Sequence, residues 1–225
     1  MKNYSYIGIS FIILVFGIWS VPKIVDKFTN KELSYILDAN KDLKKVPDFS
    51  FINQDNIQIT NESYKGKVYV VEFFFTTCPS ICPIMNRNMV KIQDEFYGNP
   101  NLGMASFSID PNTDTPEVLK QYATSYKITN PNWHLLTGDK ENIYALANLG
   151  FNLFVGEDSE FEEGFEHSGF FALIDQEGYI RSRTDEAGNP IIFYQGSVPR
   201  NETDSGTHES QQIDILIEDI EILLK

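Results

Sequence analysis

The stretch "KVYVVEFFFTT", Lys67 to Thr77, most restricts the fold: nine of its eleven residues are β-branched or aromatic. A β-branched and aromatic run of this kind, bounded by Gly66 on one side and a Cys-Pro motif on the other, suits a central strand buried on both faces. A strand buried on both faces needs a layer of structure above it and another below.

The segments around it supply those layers. "PDFSFINQDNIQIT" from Pro47 alternates apolar and polar residues about Gln54, Asp55 and Asn56, which predicts a hairpin. A helix is expected over about 80–97, stopped by Gly98. "GMASFSID" reads as a second buried strand, and "DTPEVLKQYATSYKI" as a helix with Thr115 as N-cap and Pro116 at the first helical position. "WHLLTG" is a short strand, "DKENIYALANLG" a helix closed by Gly150, and "FFALIDQEGYIRSR" a hairpin turning at Gln176, Glu177 and Gly178. The last segment places Ile213, Leu216, Ile217, Ile220, Leu223 and Leu224 at helical spacing. The expected class is therefore α/β: a thioredoxin-like three-layer sandwich with a mixed central sheet, preceded by an N-terminal membrane anchor.

The anchor is read from "YSYIGISFIILVFGIWSVP", Tyr4 to Pro22, which carries no charge. At 1.5 Å per residue such a run nearly spans a hydrocarbon core of roughly 30 Å. Its exit lacks the small-x-small pattern of a cleaved signal, and no cysteine follows it to accept a lipid. The expected organisation is a single-pass anchor at 1–24, a Lys-rich linker at 25–45 containing Leu33, Ile36 and Leu37, and a thioredoxin-like domain at 46–225. Residues 185–211, rich in Gly, Asn, Pro, Ser and Thr, are expected as a surface excursion within that domain.

Charge excludes one class of partner. The chain of 225 residues has 18 Lys and Arg against 32 Asp and Glu, a net charge of −14. Nucleic-acid binding needs clustered cations, which are absent.

The chemistry rests on the two cysteines of the chain, Cys78 and Cys82, in "FFFTTCPSICPIMNRNM". A thiol at a helix N-terminus is expected to ionise readily, which serves redox and metal chemistry alike. Residues four apart on a helix hold their Cβ atoms about 5–6 Å apart, whereas a relaxed disulfide wants about 3.5–4.5 Å. A metal with bonds of roughly 2.3 Å to each sulfur spans the wider gap. That spacing favours a metal without forbidding oxidation. Two soft thiolates select Cu(I), Zn(II) or iron–sulfur chemistry; a cluster needs four thiolates, and zinc needs two further ligands. Of the three histidines, His134 beside Trp133 reads as structural and His208 as a solvated loop residue. His167, in "EEGFEHSGFFALID", precedes a buried strand on a loop that such a sheet would bring to the cysteine end. Two sulfurs and one imidazole would make a three-coordinate site suited to copper. Asp110 and Asp114 read as capping or turn residues, and Met85 and Met89 as helix packing.

"VPDFSF", "GKVYVVEFFFTTCPSICPIM", "SIDPNTDTPEVLKQYA", "WHLLTG" and "EHSGFFALIDQEGYI" follow the order and spacing of the Sco/SenC family, which the chain resembles over Val46 to Arg181 and the last helix. The combination of CPxxCP, a distant histidine and SIDPxxDTP is specific. The resemblance implies a membrane-anchored, thioredoxin-like copper metallochaperone, carrying Cu(I) or Cu(II) to the binuclear copper site of cytochrome c oxidase subunit II. Its domain would face the periplasm or another extracytoplasmic space, or the mitochondrial intermembrane space, and would meet other copper chaperones or thiol reductants there. Cys78, Cys82 and His167 match the family's copper ligands position for position. Two departures are Glu166, where the family usually has Asp, and the longer 185–211 excursion. The alternative is a thiol–disulfide oxidoreductase acting on cysteines of the oxidase copper site or of another envelope protein, with Cys78 and Cys82 as the redox pair. Against it, "EHSGFF" lacks the proline that thioredoxin-like reductases place before the strand facing the site.

Overall fold

The computed structural model describes residues 14–17, 21, 33–157, 165–185, 187–200 and 211–225, with backbone alone at 157 and 165–167. The chain divides into two units, Met1–Glu32 and Leu33–Lys225. Of the expected anchor, Leu14–Gly17 and Val21 are helical and the rest lies outside the described residues. No helix among the described residues is long and apolar enough to cross a membrane.

The second unit is built on one mixed sheet. Its strands are β1 (Ser34–Tyr35), β2 (Ser50–Asn53), β3 (Gln58–Thr60), β4 (Val68–Phe74), β5 (Leu102–Ser108) and β6 (Trp133–Thr137). They are joined by β9 (Phe170–Ile174), β10 (Ile180–Ser182) and β11 (Tyr194–Gln195), while β7 (Val155–Glu157) and β8 (Phe165–His167) form a separate two-stranded ribbon. Strand order is β1-β10-β9-β4-β5-β6-β2-β3, with β11 also on β9. β4, β5 and β6 run parallel, and β9, β10 and β2 run antiparallel to their neighbours. The apolar run thus lies at the centre, and all seven residues of β4 are buried.

Successive side chains of β4 serve opposite faces. Phe74 meets Tyr122 with ring centroids 5.5 Å apart, whereas Phe73 packs on Phe107 and on Phe151 at 5.4 and 5.7 Å. Tyr122 belongs to α2 (Pro116–Ser125), whose N-cap Thr115 accepts from Val118 N–H as expected. α1 (Cys82–Glu95) lies beside α2, because Asn86 Nδ2 donates to Tyr122 Oη at 3.0 Å, and it contacts α4 (Ile213–Leu223). Phe151 ends a π-helical stretch, Leu146–Phe151, that continues α3 (Lys140–Ala145). Helices therefore cover both faces of a central sheet.

Three expectations change. The helix over "DKENIYALANLG" does not stop at Gly150: the backbone widens into π geometry and is terminated by Asn152 at φ 56°, a left-handed position that Asn tolerates. Residues 33–45 do not form a tether. β1 pairs with β10, and Leu33 and Ile36 are buried, because an apolar pair beside an open sheet edge gains more from the core than from water. Part of 185–211 is not superficial either, since β11 pairs with β9 and Tyr194 is fully buried, its hydroxyl donating to Asp219 at 2.6 Å.

Candidate metal centre

β4 delivers the chain to the cysteines at the carboxyl end of the sheet, where α/β folds commonly bind ligands. The exit is braced from β5's side. Asp114 is buried and accepts from the Thr76 backbone N–H at 3.1 Å, from Thr76 Oγ1 and from Ser108 Oγ. Burial pushes the Asp114 carboxyl up, and these donors pull it partly back. Asp110 caps the same turn, its carbonyl accepting from Thr113 and Asp114 N–H. The turn role expected of both aspartates is what the geometry displays.

Beyond Thr76 the chain bends, with Cys78 N–H donating to Phe75 O at 3.3 Å. Cys78 is not helical. α1 begins at Cys82 with Pro83 in its first turn, so Pro83 is the early-helix proline. Ile81 precedes the helix and has no side chain able to cap it. Cys78 Sγ does so instead, accepting from Cys82 N–H at 3.4 Å. Ser80 Oγ lies 3.6 Å from the same sulfur. The helix-face spacing expected for the pair therefore does not apply, and neither does the objection to a disulfide drawn from it. No disulfide joins the two cysteines here.

Both thiols are shielded, Cys78 at 5% exposure and Cys82 at 0%. Burial pushes the Cys82 thiol well above its ordinary range, and Cys78 and Glu72 push in the same direction against a backbone hydrogen bond near Phe75. The helix N-terminus was expected to lower thiol pKa values. At Cys82 desolvation outweighs it, because the side chain is fully buried in the core.

Beneath the cysteines sits a polar cluster. Glu72 is fully buried; its Oε1 accepts from Ser106 Oγ at 2.6 Å, Ser106 Oγ accepts from Trp133 Nε1 at 3.0 Å, and Oε2 has no partner. Burial raises the Glu72 carboxyl to about 7. Asn86 Nδ2 donates to Cys82 O at 3.1 Å, and its Oδ1 is buried without a partner. Sequence reasoning passed over both. The signal for Glu72 was a carboxylate inside an otherwise apolar run.

His167 ends β8, opposite Val155 on β7; its side chain lies outside the described part. The ribbon is held by Asn148 of the π-helical stretch, whose side chain donates to Val155 O at 2.9 Å and accepts from Val155 N–H at 3.0 Å in the manner of a neighbouring strand. Among the described residues no group of three or more His, Cys, Asp or Glu converges on a point. His134 faces Asn53 Nδ2 at 3.2 Å and the Tyr64 ring, and burial lowers its pKa, as befits a structural histidine. Met85 and Met89 are fully buried in the core. His208 lies outside the described residues.

The donor set fits a soft cation. Two buried thiols sit at the two ends of one turn, with one hydroxyl near Cys78, and sulfur donors suit Cu(I) better than hard, oxygen-seeking ions.

Comparison with known proteins gives one consistent picture. The SCO1/SenC family model matches residues 38–196. The SCO1 protein homolog of Bacillus subtilis (strain 168) is 35% identical over 138 residues, covering 60% of this chain and 71% of that one. The crystal structure of a SCO1/SenC family lipoprotein from Bacillus anthracis str. Ames superposes with a TM-score of 0.65 at 30% identity, over 80% of this chain and 95% of that one. BsSco, described with a disulfide switch and as a member of the Sco family of cytochrome c oxidase assembly proteins, gives 0.63 at 29% identity over 80% and 92%.

Proposed function

The chain belongs to the SCO1/SenC family, and from that premise we propose that it is a copper metallochaperone whose cargo is held by Cys78 Sγ, Cys82 Sγ and the His167 imidazole. The receiving partner is the binuclear copper site of cytochrome c oxidase subunit II, and residues 1–24 hold the domain at the outer face of a membrane. The observation that carries this reading is the turn from Cys78 to Cys82. One sulfur caps the helix that the other begins, so both are delivered to the same end of α1. Copper must displace the thiol protons to bind, so loading releases protons to solvent or to an acceptor. The ribbon β7–β8, pinned by Asn148, brings the backbone of His167 to the strand that leads into β9. Family membership and the relatives' part in oxidase assembly support the choice of acceptor.

The test is a Cu(I) competition titration of the reduced full chain in mild detergent. Cys78→Ser and Cys82→Ser should each abolish tight binding, and His167→Ala should weaken it. Tight binding that survives either serine substitution rules the site out.

A second reading, thiol–disulfide exchange, is favoured by the non-helical position of Cys78, which leaves it close to Cys82 without helix-imposed separation. In that reaction the two thiols give two electrons and two protons to a partner disulfide, and the Cys78–Cys82 bond forms as the partner's bond breaks. Insulin reduction by the copper-free chain, lost in both serine variants, would establish it; no turnover above the serine variants would exclude it.

A further inference from the structure

The segment from Tyr194 to Arg200 follows a stretch rich in turn residues, yet it contacts the two elements that carry the expected ligands. On one side it meets α1. Asn88 is fully buried on that helix, six residues after Cys82, and spends its whole side chain on this segment: Nδ2 donates to Gly196 O at 2.9 Å and Val198 O at 2.8 Å, and Oδ1 accepts from Arg200 N–H at 3.3 Å. The Arg200 side chain then bonds Asp214 of α4 at 2.6 Å. On the other side it meets the start of β9. Gly196 N–H and Ser197 N–H both donate to Gly169 O, at 2.8 and 3.2 Å, and Tyr194 and Gln195 pair with Phe171 and Phe170.

Gly169 is two residues after His167 and is tightly enclosed. A Cβ there would stand 2.7 Å from Ser197 Cβ and Oγ, and 3.4 Å from Cδ1 of Ile81, the neighbour of Cys82. A Cβ on Gly196 would stand 2.7 Å from the Phe171 ring. The segment therefore touches the cysteine-bearing helix at Asn88 and the start of β9 at Gly169 at once, through hydrogen bonds on both sides and glycine-limited packing against β9.

We propose that residues 194–200 act as a clamp that sets the spacing between the cysteine-bearing helix and the strand exit carrying His167, with Asn88 as the positioning residue. This rests on His167 being the third ligand. A buried Asn is costly unless every polar atom is satisfied, and here satisfying it fixes the register of the segment against α1. Simple adhesion could be had from apolar side chains without that register. The family match ends at Gly196, inside the clamp.

The test compares Gly169→Ala, Gly169→Ala with Ser197→Gly, Asn88→Asp and His167→Ala in the detergent-held full chain, by Cu(I) competition and by the electron paramagnetic resonance spectrum of Cu(II). Gly169→Ala should weaken Cu(I) binding about tenfold, the usual cost of losing a supporting contact around a ligand, and should move the Cu(II) nitrogen splitting toward that of His167→Ala. Removing the Ser197 side chain should restore both. Asn88→Asp keeps the acceptor for Arg200 N–H and loses both donations, so it should act in the same direction, and neither change should add anything in a His167→Ala background. Native affinity and spectrum in folded Gly169→Ala and Asn88→Asp, with His167→Ala altered, would overturn the clamp alone. Equal losses with and without His167 would also overturn it, as a purely structural effect. A His167→Ala chain identical to wild type would overturn the three-ligand reading and the clamp together.

Discussion

Replacing Glu72 with Gln should change how the stability of the domain depends on pH. The carboxyl is fully buried, bonded through one oxygen to Ser106 and unpartnered at the other, and burial raises it from 4.5 to about 7. An acid raised on folding binds its proton more tightly in the folded state, so its contribution to stability is complete below the unfolded pKa and is lost as pH rises through the folded one. With those two values the loss between about pH 5.5 and about pH 8.5 is about 2 kcal/mol. Gln cannot ionise, so its cost in the same pocket is constant across that range. Urea unfolding of wild type and Glu72→Gln at several pH values, all above the sequence pI of 4.6 to keep the chain soluble, isolates the effect because every other titrating group is shared. The stability of the Gln variant relative to wild type should improve by about 2 kcal/mol from the acid to the alkaline end. A difference that stays flat with pH would refute the buried, proton-holding carboxyl.

Asp114→Asn leaves one acceptor oxygen for Thr76 N–H, Thr76 Oγ1–H and Ser108 Oγ–H, so at least one buried donor loses its partner; denaturant unfolding should show a loss of about 1–3 kcal/mol. A midpoint equal to wild type would contradict that bracing. Asn152 holds a left-handed backbone at φ 56°, so Asn152→Val should cost about 1–2 kcal/mol in the same assay while Asn152→Gly costs much less. Equal effects of Val and Gly would show that the backbone angle is not what matters there.

Much of the sheet was legible because its signals are local. The β4 run, the turn at Gln54 to Asn56, the Thr115–Pro116 start of α2 and the Gly178 turn each depend on a few neighbouring residues, and each appears where expected. The start of the helix after Cys78 was less legible for a related reason. Pro79 resembles a helix start, but Pro83 and a sulfur cap begin the helix at Cys82. Elements that depend on distant partners left no local pattern. β1 exists because β10 offers an edge, Asn88 meets residues more than a hundred positions away, and Asn148 imitates a strand for Val155. The thiol ionisation expected from a helix terminus fails at Cys82 because burial, which spacing cannot reveal, acts against it.

The central claim is that two sulfurs and one imidazole share a single cation. X-ray absorption of the Cu(I)-loaded full chain measures this directly, and it should give two sulfur ligands and one nitrogen per copper, with the nitrogen lost and both sulfurs kept in His167→Ala. A first shell unchanged by that substitution, or one holding a single sulfur, would contradict it.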